Sequence, residues 1–305
     1  MAKVSIVIPL WTGDRTLPRA LASIFAQSFT DCEVVIVYDG SLRAPPAVPA
    51  EYRERIRLVS EPNRGVSAAR NAGIRASHSE YVAFLDDDDE WMPEKLARSV
   101  AVLDQDPECV LVYTGALKVD LAGTPLPNQN SQTGGIDSPT LAQMLERPWI
   151  IVPTQFTVRR AMLERWGGFD ERLTDAEDMF FVLRAREHGH FRYVPDPLVR
   201  KYMHPLYPDA LTRERGHKAL VHAVRERYGA TGARLVDEFR LNRMKLMKHM
   251  ANMLIQEGRL NDARRCLARL IYYQPASPKA YRRYLKTFLP ARTPRATAST
   301  EDSEA

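Results

Sequence analysis

The chain has 305 residues, of which 45% are hydrophobic and 27% charged, and its formal net charge is +5. This composition supplies enough apolar material for one or two folded domains and excludes a chain too polar to build a core. No stretch approaches the ~20 apolar residues of a membrane-spanning helix, and the first nine residues lack the charged-then-apolar order of a signal peptide.

Over residues 4–113, short β-branched runs alternate with amphipathic stretches, the pattern of βαβ units on a parallel sheet. Residues 4–9 are a continuous apolar run, as a strand buried on both faces requires. Leu17, Leu21, Ile24 and Phe25 fall at helical spacing and predict a helix over 17–29. A second strand over 33–38 ends in the turn residues Asp39, Gly40 and Ser41. A proline-rich loop (44–49), a third strand (57–60) and a helix (66–77) follow. The fourth strand, 81–85, runs directly into Asp86, Asp87, Asp88 and Asp89. Pro93 then opens a helix over 93–103, and 110–113 reads as a strand. From 115 to 155 the pattern weakens. Glycine, proline and asparagine there predict a mobile loop with one short helix at 140–146. Beyond it come a strand (156–158), helices over 161–166 and 176–188, and two strands, 191–194 and 198–202.

From residue 210 the chain reads as helical. Gly258, Leu260, Ala263, Leu267, Leu270 and Pro275 have the spacing of half a tetratricopeptide repeat, a unit that must pack on neighbouring helices. The predicted division is a domain over 1–210, a helical domain over 211–290 with this unit near 250–275, and a disordered tail over 291–305. Charge follows the division. Fourteen basic and two acidic residues lie between Arg240 and Arg295, a local charge of +12. Apolar residues are interleaved with them. They read either as a core face beside a solvated basic face, or as a surface for an anionic membrane. No recognition motif points to nucleic acid. Cys32, Cys109 and Cys266 are far apart and lack metal-ligand spacing, so they read as buried or neutral thiols in a reducing cytoplasm.

The acidic run carries the most chemistry. Adjacent carboxylates raise one another's pKa unless a cation offsets them. Ligands of open parallel sheets bind at the carboxyl ends of strands, where this run lies. Hard carboxylates there suit Mg²⁺ or Mn²⁺ shared with substrate phosphates. A solvated acidic turn is the competing reading.

Four segments in order decide between them. Phe84-Leu85-Asp86-Asp87-Asp88-Asp89-Glu90-Trp91-Met92-Pro93 resembles the LDxDDxWxP segment of family 2 glycosyltransferases. Val4-Ser5-Ile6-Val7-Ile8-Pro9-Leu10 is similar to that family's first strand. Asn63-Arg64-Gly65-Val66-Ser67-Ala68-Ala69-Arg70-Asn71-Ala72-Gly73 resembles its NxGxxxARNxG loop and helix. Gly167-Gly168-Phe169-Asp170-Glu171, followed by Ala176-Glu177-Asp178, resembles its GGFDE…ED segment. The likeness spans residues 3–205. It implies an α/β GT-A fold, a Rossmann-like, mainly parallel sheet flanked by helices, here with a helical C-terminal extension.

The resemblance also implies roles. Pro9, Asp39, Arg70, Asn71, Asp86 and Asp87 would bind the nucleotide-sugar donor, with Asp39 at the base and Asp86 at the ribose. Asp88 and Asp89 would hold Mn²⁺ or Mg²⁺, joined by His204, whose neutral imidazole is a good metal ligand. Arg200 or Lys201 is an alternative contact for the diphosphate. Asp178 would be the general base for the acceptor hydroxyl, and one displacement would invert the anomeric carbon. Each site has a structural rival. Asp39 could be a turn residue, Arg70 a helix salt bridge, Asp178 an acid favoured at a helix start, His204 a loop residue. Trp166 and Phe169 fit an acceptor border or a core equally. Tyr38 replaces one of the family's usual pair of acids before the Gly-Ser turn, and the Q/RxxRW segment of processive polymerases is absent. The expectation is a cytoplasmic, non-processive enzyme, with a peripheral place at the inner face of the membrane as the variant that the basic helices would allow. It would move a sugar from a nucleotide-diphosphate donor, UDP-sugar favoured, to a glycan or lipid-linked glycan hydroxyl. The alternative is a non-catalytic nucleotide-sugar-binding or scaffold protein.

Overall fold

The structure is a computed structural model that describes residues 1–10, 16–38, 48–126, 135–146, 152–203, 210–256, 258–273 and 275–288. It divides into two compact units, Met1–Glu238 and Phe239–Ala305. The first is built on a sheet of β1 (Val4–Leu10), β2 (Cys32–Tyr38), β3 (Ile56–Ser60), β4 (Tyr81–Phe84), β5 (Glu90–Trp91), β6 (Cys109–Val119), β7 (Phe156–Arg159) and β8 (His190–Tyr202). Its strand order is β3-β2-β1-β4-β7-β6-β8-β5.

All seven residues of β1 are buried, because it is flanked by parallel β2 and β4 and covered on both faces. The period-2 alternation of β2 sorts its side chains. Val34 and Ile36 join a core with α1 (Leu17–Phe25) and α3 (Lys95–Gln105), through Leu17, Leu21, Ile24, Leu96 and Val100. Val35 and Val37 pack instead on Ala69 and Ala72 of α2 (Val66–Ala76). Burying each such aliphatic side chain contributes about 1.5–3 kcal/mol.

The order β3-β2-β1-β4 reverses between β1 and β4. That makes their carboxyl ends a topological switch point, where open α/β sheets bind ligands. Beyond β4 the sheet turns mixed. β7 runs antiparallel to β4 and β6, and β5 antiparallel to β8. Antiparallel β7 is followed by α5 (Arg160–Trp166) and α6 (Glu177–Arg186), while α4 (Leu141–Glu146) precedes it.

Two predicted features differ. The first five residues of the predicted loop over 115–155 are strand, because β6 continues to Val119 alongside β8. The two strands predicted over 191–194 and 198–202 are one. Pro195, Asp196 and Pro197 read as a break in sequence, but the chain absorbs them as a bulge opposite Gly115. The prolines cost no ladder bond on the far side, since β5 pairs only with Val199 and Arg200.

In the second unit, Ala251, Leu267, Leu270 and Ala280 form the core. Leu267 and Leu270 come from α8 (Leu260–Tyr273) and Ala280 from α9 (Pro278–Lys286). A helical segment, α7 (Ala210–Gln256), spans the boundary between the units and is broken at Gly229 (φ 53°, ψ −128°). No helix among the described residues is long and apolar enough to cross a membrane. The tail predicted over 291–305 lies outside the described residues.

Gly115 tests the bulge. A Cβ there would sit 2.8 Å from the carbonyl oxygen of Asp196 and 2.9 Å from that of Pro195. Both are backbone atoms, so Gly115→Ala is expected to destabilise the first unit by about 1–3 kcal/mol. Urea unfolding should show a lower midpoint at unchanged slope.

Candidate active site

The switch point opens into a cleft of about 240 Å³. Pro9 and Leu10 line it from β1, Val66, Ala69 and Arg70 from α2, and Asp86, Asp87 and Asp88 from the loop after β4. Leu85 N–H donates to the Val7 carbonyl at 3.0 Å, so the sheet ladder delivers the acidic run to this point. Asp89 N–H then donates back to the Asp86 carbonyl at 3.1 Å, closing a turn that feeds β5.

Arg70 organises the site. It lies in α2, is 4% exposed, and donates through Nη2 to Asp86 Oδ1 and through Nη1 to Glu177 Oε1, both at 2.8 Å. Its guanidinium also lies over the Phe169 ring, 5.2 Å from the centroid. Burial favours a neutral arginine, but the two carboxylates hold it firmly charged. Burial likewise pushes the Asp86 carboxyl up, yet Arg70 and Lys201 outweigh it and hold the group below its ordinary value. Asp87 has no such partner set. Burial, together with Asp88 and Asp86, pushes it up to about 7.

Asp89 is the anchor of the loop. It is fully buried, and both its oxygens accept protein hydrogen bonds, Oδ2 from Lys201 Nζ and Oδ1 from Tyr202 N, each at 3.0 Å. Lys201 also approaches Asp86 at 3.7 Å. Burial disfavours the ammonium, but Asp89, Asp86 and Asp88 hold it protonated. Arg19 of α1, a residue without any signal in the sequence pattern, donates to the Asp88 carbonyl at 2.6 Å. It stacks 3.6 Å over the Tyr202 ring, and Tyr202 Oη in turn donates to Glu90 at 2.6 Å.

Asp178 stands next to Glu177 in the first turn of α6, half-buried, and accepts a bond from Met179 N at 2.6 Å. Burial first, then the Glu177 carboxylate, push its carboxyl up to about 7 against the pull of Arg70. The residue before the helix, Ala176, is left-handed (φ 63°, ψ 22°), a strained conformation for a side chain with a Cβ.

Asn71 does not join the cleft. Its Oδ1 accepts from Phe169 N at 2.8 Å, and its Nδ2 donates to the Phe169 carbonyl at 2.9 Å and to Glu171 at 3.0 Å. Those bonds take up the amide, and the residue lines a separate hollow of about 530 Å³ with Gly168 and Glu171. Acids in that larger hollow are already paired, Glu171 with Arg64 and Glu164 with Arg160, so it lacks the clustered charge of the smaller cleft. Asn71 thus ties α2 to the Gly168–Phe169 turn. Trp166 and Phe169 are also core residues, 4% and 2% exposed, and Phe169 stacks on Phe181 at 4.2 Å. Asp39 and His204 lie outside the described residues.

The family model for glycosyl transferase family 2 matches residues 5–167, more than half of the chain. The chain belongs to glycosyl transferase family 2. Among curated relatives, an uncharacterised glycosyltransferase of Haemophilus influenzae is 25% identical over 237 residues, which cover 75% of this chain and 78% of that protein. Two other curated relatives are matched over 56% and 64% of their own length. In fold, the chain resembles Staphylococcus aureus TarS 1–349 solved in complex with UDP-GlcNAc (TM-score 0.64, 17% identity, 94% of this chain and 89% of that one). It also resembles the mannosyltransferase PcManGT of Pyrobaculum calidifontis in complex with GDP-Man and Mn²⁺ (TM-score 0.57, 20% identity, 94% and 85% covered). The fold is GT-A, and the protein is a glycosyltransferase.

The glycosyltransferase site can be tested for a cation from its own donor atoms. Asp86, Asp88 and Asp89 each offer a carboxylate oxygen, and these lie within 4.8 Å of one another. Three hard oxygen donors fit Mg²⁺ or Mn²⁺. The three are not equivalent, since Asp86 and Asp89 are also held by Arg70 and Lys201.

Removing Arg70 would leave Asp86 and Glu177 without their shared cation. Asp86 and Glu177 are only 21% and 13% exposed, so Arg70→Met is expected to cost about 3–5 kcal/mol. Arg70→Lys should recover only part of this, because one ammonium cannot reproduce the two-armed fork. Chemical unfolding of the three proteins measures both steps.

Proposed function

We propose that this glycosyltransferase moves a single sugar from a nucleoside-diphosphate sugar, UDP-sugar favoured, to a hydroxyl of a glycan or lipid-linked glycan. The reaction is inverting, non-processive and dependent on Mn²⁺ or Mg²⁺. The observation that carries this reading is the junction at Arg70, which joins the acidic loop after β4 to the carboxylates at the start of α6. TarS solved with UDP-GlcNAc and PcManGT solved with GDP-Man and Mn²⁺ support the donor class and the cation.

In this mechanism Pro9, Asp39, Asp86 and Asp87 hold the nucleotide, and Asp88 and Asp89, with His204, would hold the cation. When bound, the cation supplies positive charge that offsets the diphosphate as it leaves. Asp178 takes the proton of the acceptor hydroxyl. That oxygen forms its bond to the anomeric carbon as the carbon–oxygen bond to the diphosphate breaks, and a single displacement inverts the centre. Arg70 holds the Glu177 side chain beside Asp178, while its own positive charge pulls the Asp178 carboxyl down against burial. The buried thiols of Cys32 and Cys109 support a reducing, cytoplasmic setting.

Two measurements test the proposal. A base must be ionised to act, and burial with the Glu177 carboxylate pushes the Asp178 carboxyl up to about 7. kcat/KM should therefore rise with pH through about 7 and level off above it, rather than being flat from pH 5 upward. Asp178→Asn should lose transfer by at least about 100-fold while still binding donor. Unimpaired transfer by that variant would exclude Asp178 as the base.

The second concerns the cation. Mn²⁺ with a UDP-sugar should raise the melting temperature of the wild type, and a chelator should abolish the shift, because only the folded state binds. Asp88→Asn should show a clearly smaller Mn²⁺-dependent shift. An equal shift in both proteins would remove Asp88 from the cation site.

A further inference from the structure

The second unit carries exposed apolar side chains set among basic residues. Helix α9 has three faces. Ala280, 2% exposed, and Tyr284 turn inward onto Ala251, Leu267 and Leu270. Tyr281 and Leu285 share one side at i and i+4, and Phe288 follows in the turn just past the helix, its N–H bonded to the Leu285 carbonyl at 3.1 Å; the three are 43%, 62% and 56% exposed. Lys279, Arg282 and Lys286 occupy a third side and are exposed. On the opposite flank of the apolar stripe, Arg264 of α8 lies 4.0 Å over the Phe288 ring and donates to the Thr287 carbonyl at 2.7 Å. The stripe is therefore bordered by cations on both sides. The nearby acid Asp262 is engaged by Arg259 at 2.9 Å and by Arg265 at 3.7 Å, so it does little to neutralise the basic side.

We infer that the Tyr281–Leu285–Phe288 stripe of α9 docks this unit on an anionic lipid surface, with the apolar side chains entering the interface and the flanking cations meeting the headgroups. Large apolar side chains held in solvent between basic residues are the makeup of an interfacial helix. Long Lys and Arg stems let the charges reach the headgroup level while their methylenes stay on the apolar side. The other occupants fit less well. Residues 289–305 contain one large apolar residue, Leu289, and so offer little apolar surface to match the stripe. A second copy of the same face would set like charges against each other.

The inference stands apart from the transfer chemistry, and its test needs no nucleotide sugar. The full chain is sedimented with vesicles of phosphatidylcholine alone or of phosphatidylcholine with phosphatidylglycerol. Retention is expected on the anionic vesicles only and should weaken at 1 M salt, where screening falls to ~3 Å. Leu285→Glu should reduce retention at least about 10-fold, and so should Arg282→Gln combined with Lys286→Gln. All are solvent-exposed positions, so melting temperature and transfer to a soluble acceptor should stay at wild-type values. Tyr281→Gln is the second probe if Leu285→Glu does not fold. Three results would overturn the inference: no retention, equal retention of the Leu285 and Tyr281 variants, or a wild-type dimer that either substitution converts to monomer.

Discussion

A buried arginine shared by two carboxylates governs the geometry of this glycosyltransferase. Arg70 reaches Asp86 on one side and Glu177 on the other, and both pairs lie where water screens poorly. Neither acid is well placed alone. Asp86 sits in a run of four aspartates, and Glu177 stands beside Asp178. The arginine makes both positions tolerable and couples them, so the donor end and the acceptor end of the proposed reaction share one rigid side chain. The planar fork of the guanidinium suits this better than a point charge, because its two arms bind in fixed directions.

The acidic loop shows the same logic a second time. Lys201 holds Asp89 and leans toward Asp86, while Arg19 grips the backbone of Asp88. These bonds hold the loop through both side chain and backbone. Charge repulsion within the run is opposed locally by cations from three separate elements, α1, α2 and β8. At the start of α6 the balance tips differently. A helix N-terminus favours carboxylates, yet burial and Glu177 raise Asp178 toward neutrality. That opposition yields a carboxylate with an unusually high proton affinity, the property a base near neutral pH requires.

The sequence made some of this legible and hid the rest for definable reasons. β1, α2 and β4 follow from local periodicity, and the acidic run announces itself by composition. Their meeting at the β1–β4 switch point follows from topology rules, and Pro9, Arg70, Asp86, Asp87 and Asp88 do gather in one cleft. The partners of that cleft were out of reach. Asn71 with Phe169, and Tyr202 with Asp89, lie between 98 and 113 residues apart, and no local pattern encodes such pairs. The β8 bulge was hidden by turn-forming Pro195, Asp196 and Pro197, whose effect was overridden by pairing with β6. Antiparallel β7 was equally silent, since four residues carry no direction.

The bonds of Asn71 expose how α2 does its work. Successive residues on a helix point about 100° apart. Arg70 faces the acidic cleft while Asn71 faces the Gly168–Phe169 turn. Gly168 is required at that contact. It has φ 69°, and a Cβ would approach Asn71 Oδ1 to 2.4 Å. The amide thus grips bare backbone and fixes the turn from which the chain continues to α6. Arg70 then fixes the first residue of α6 itself. Two adjacent side chains on one helix, one neutral and one charged, thereby hold both ends of the segment that carries Asp178, and the position of the proposed base is inherited from α2.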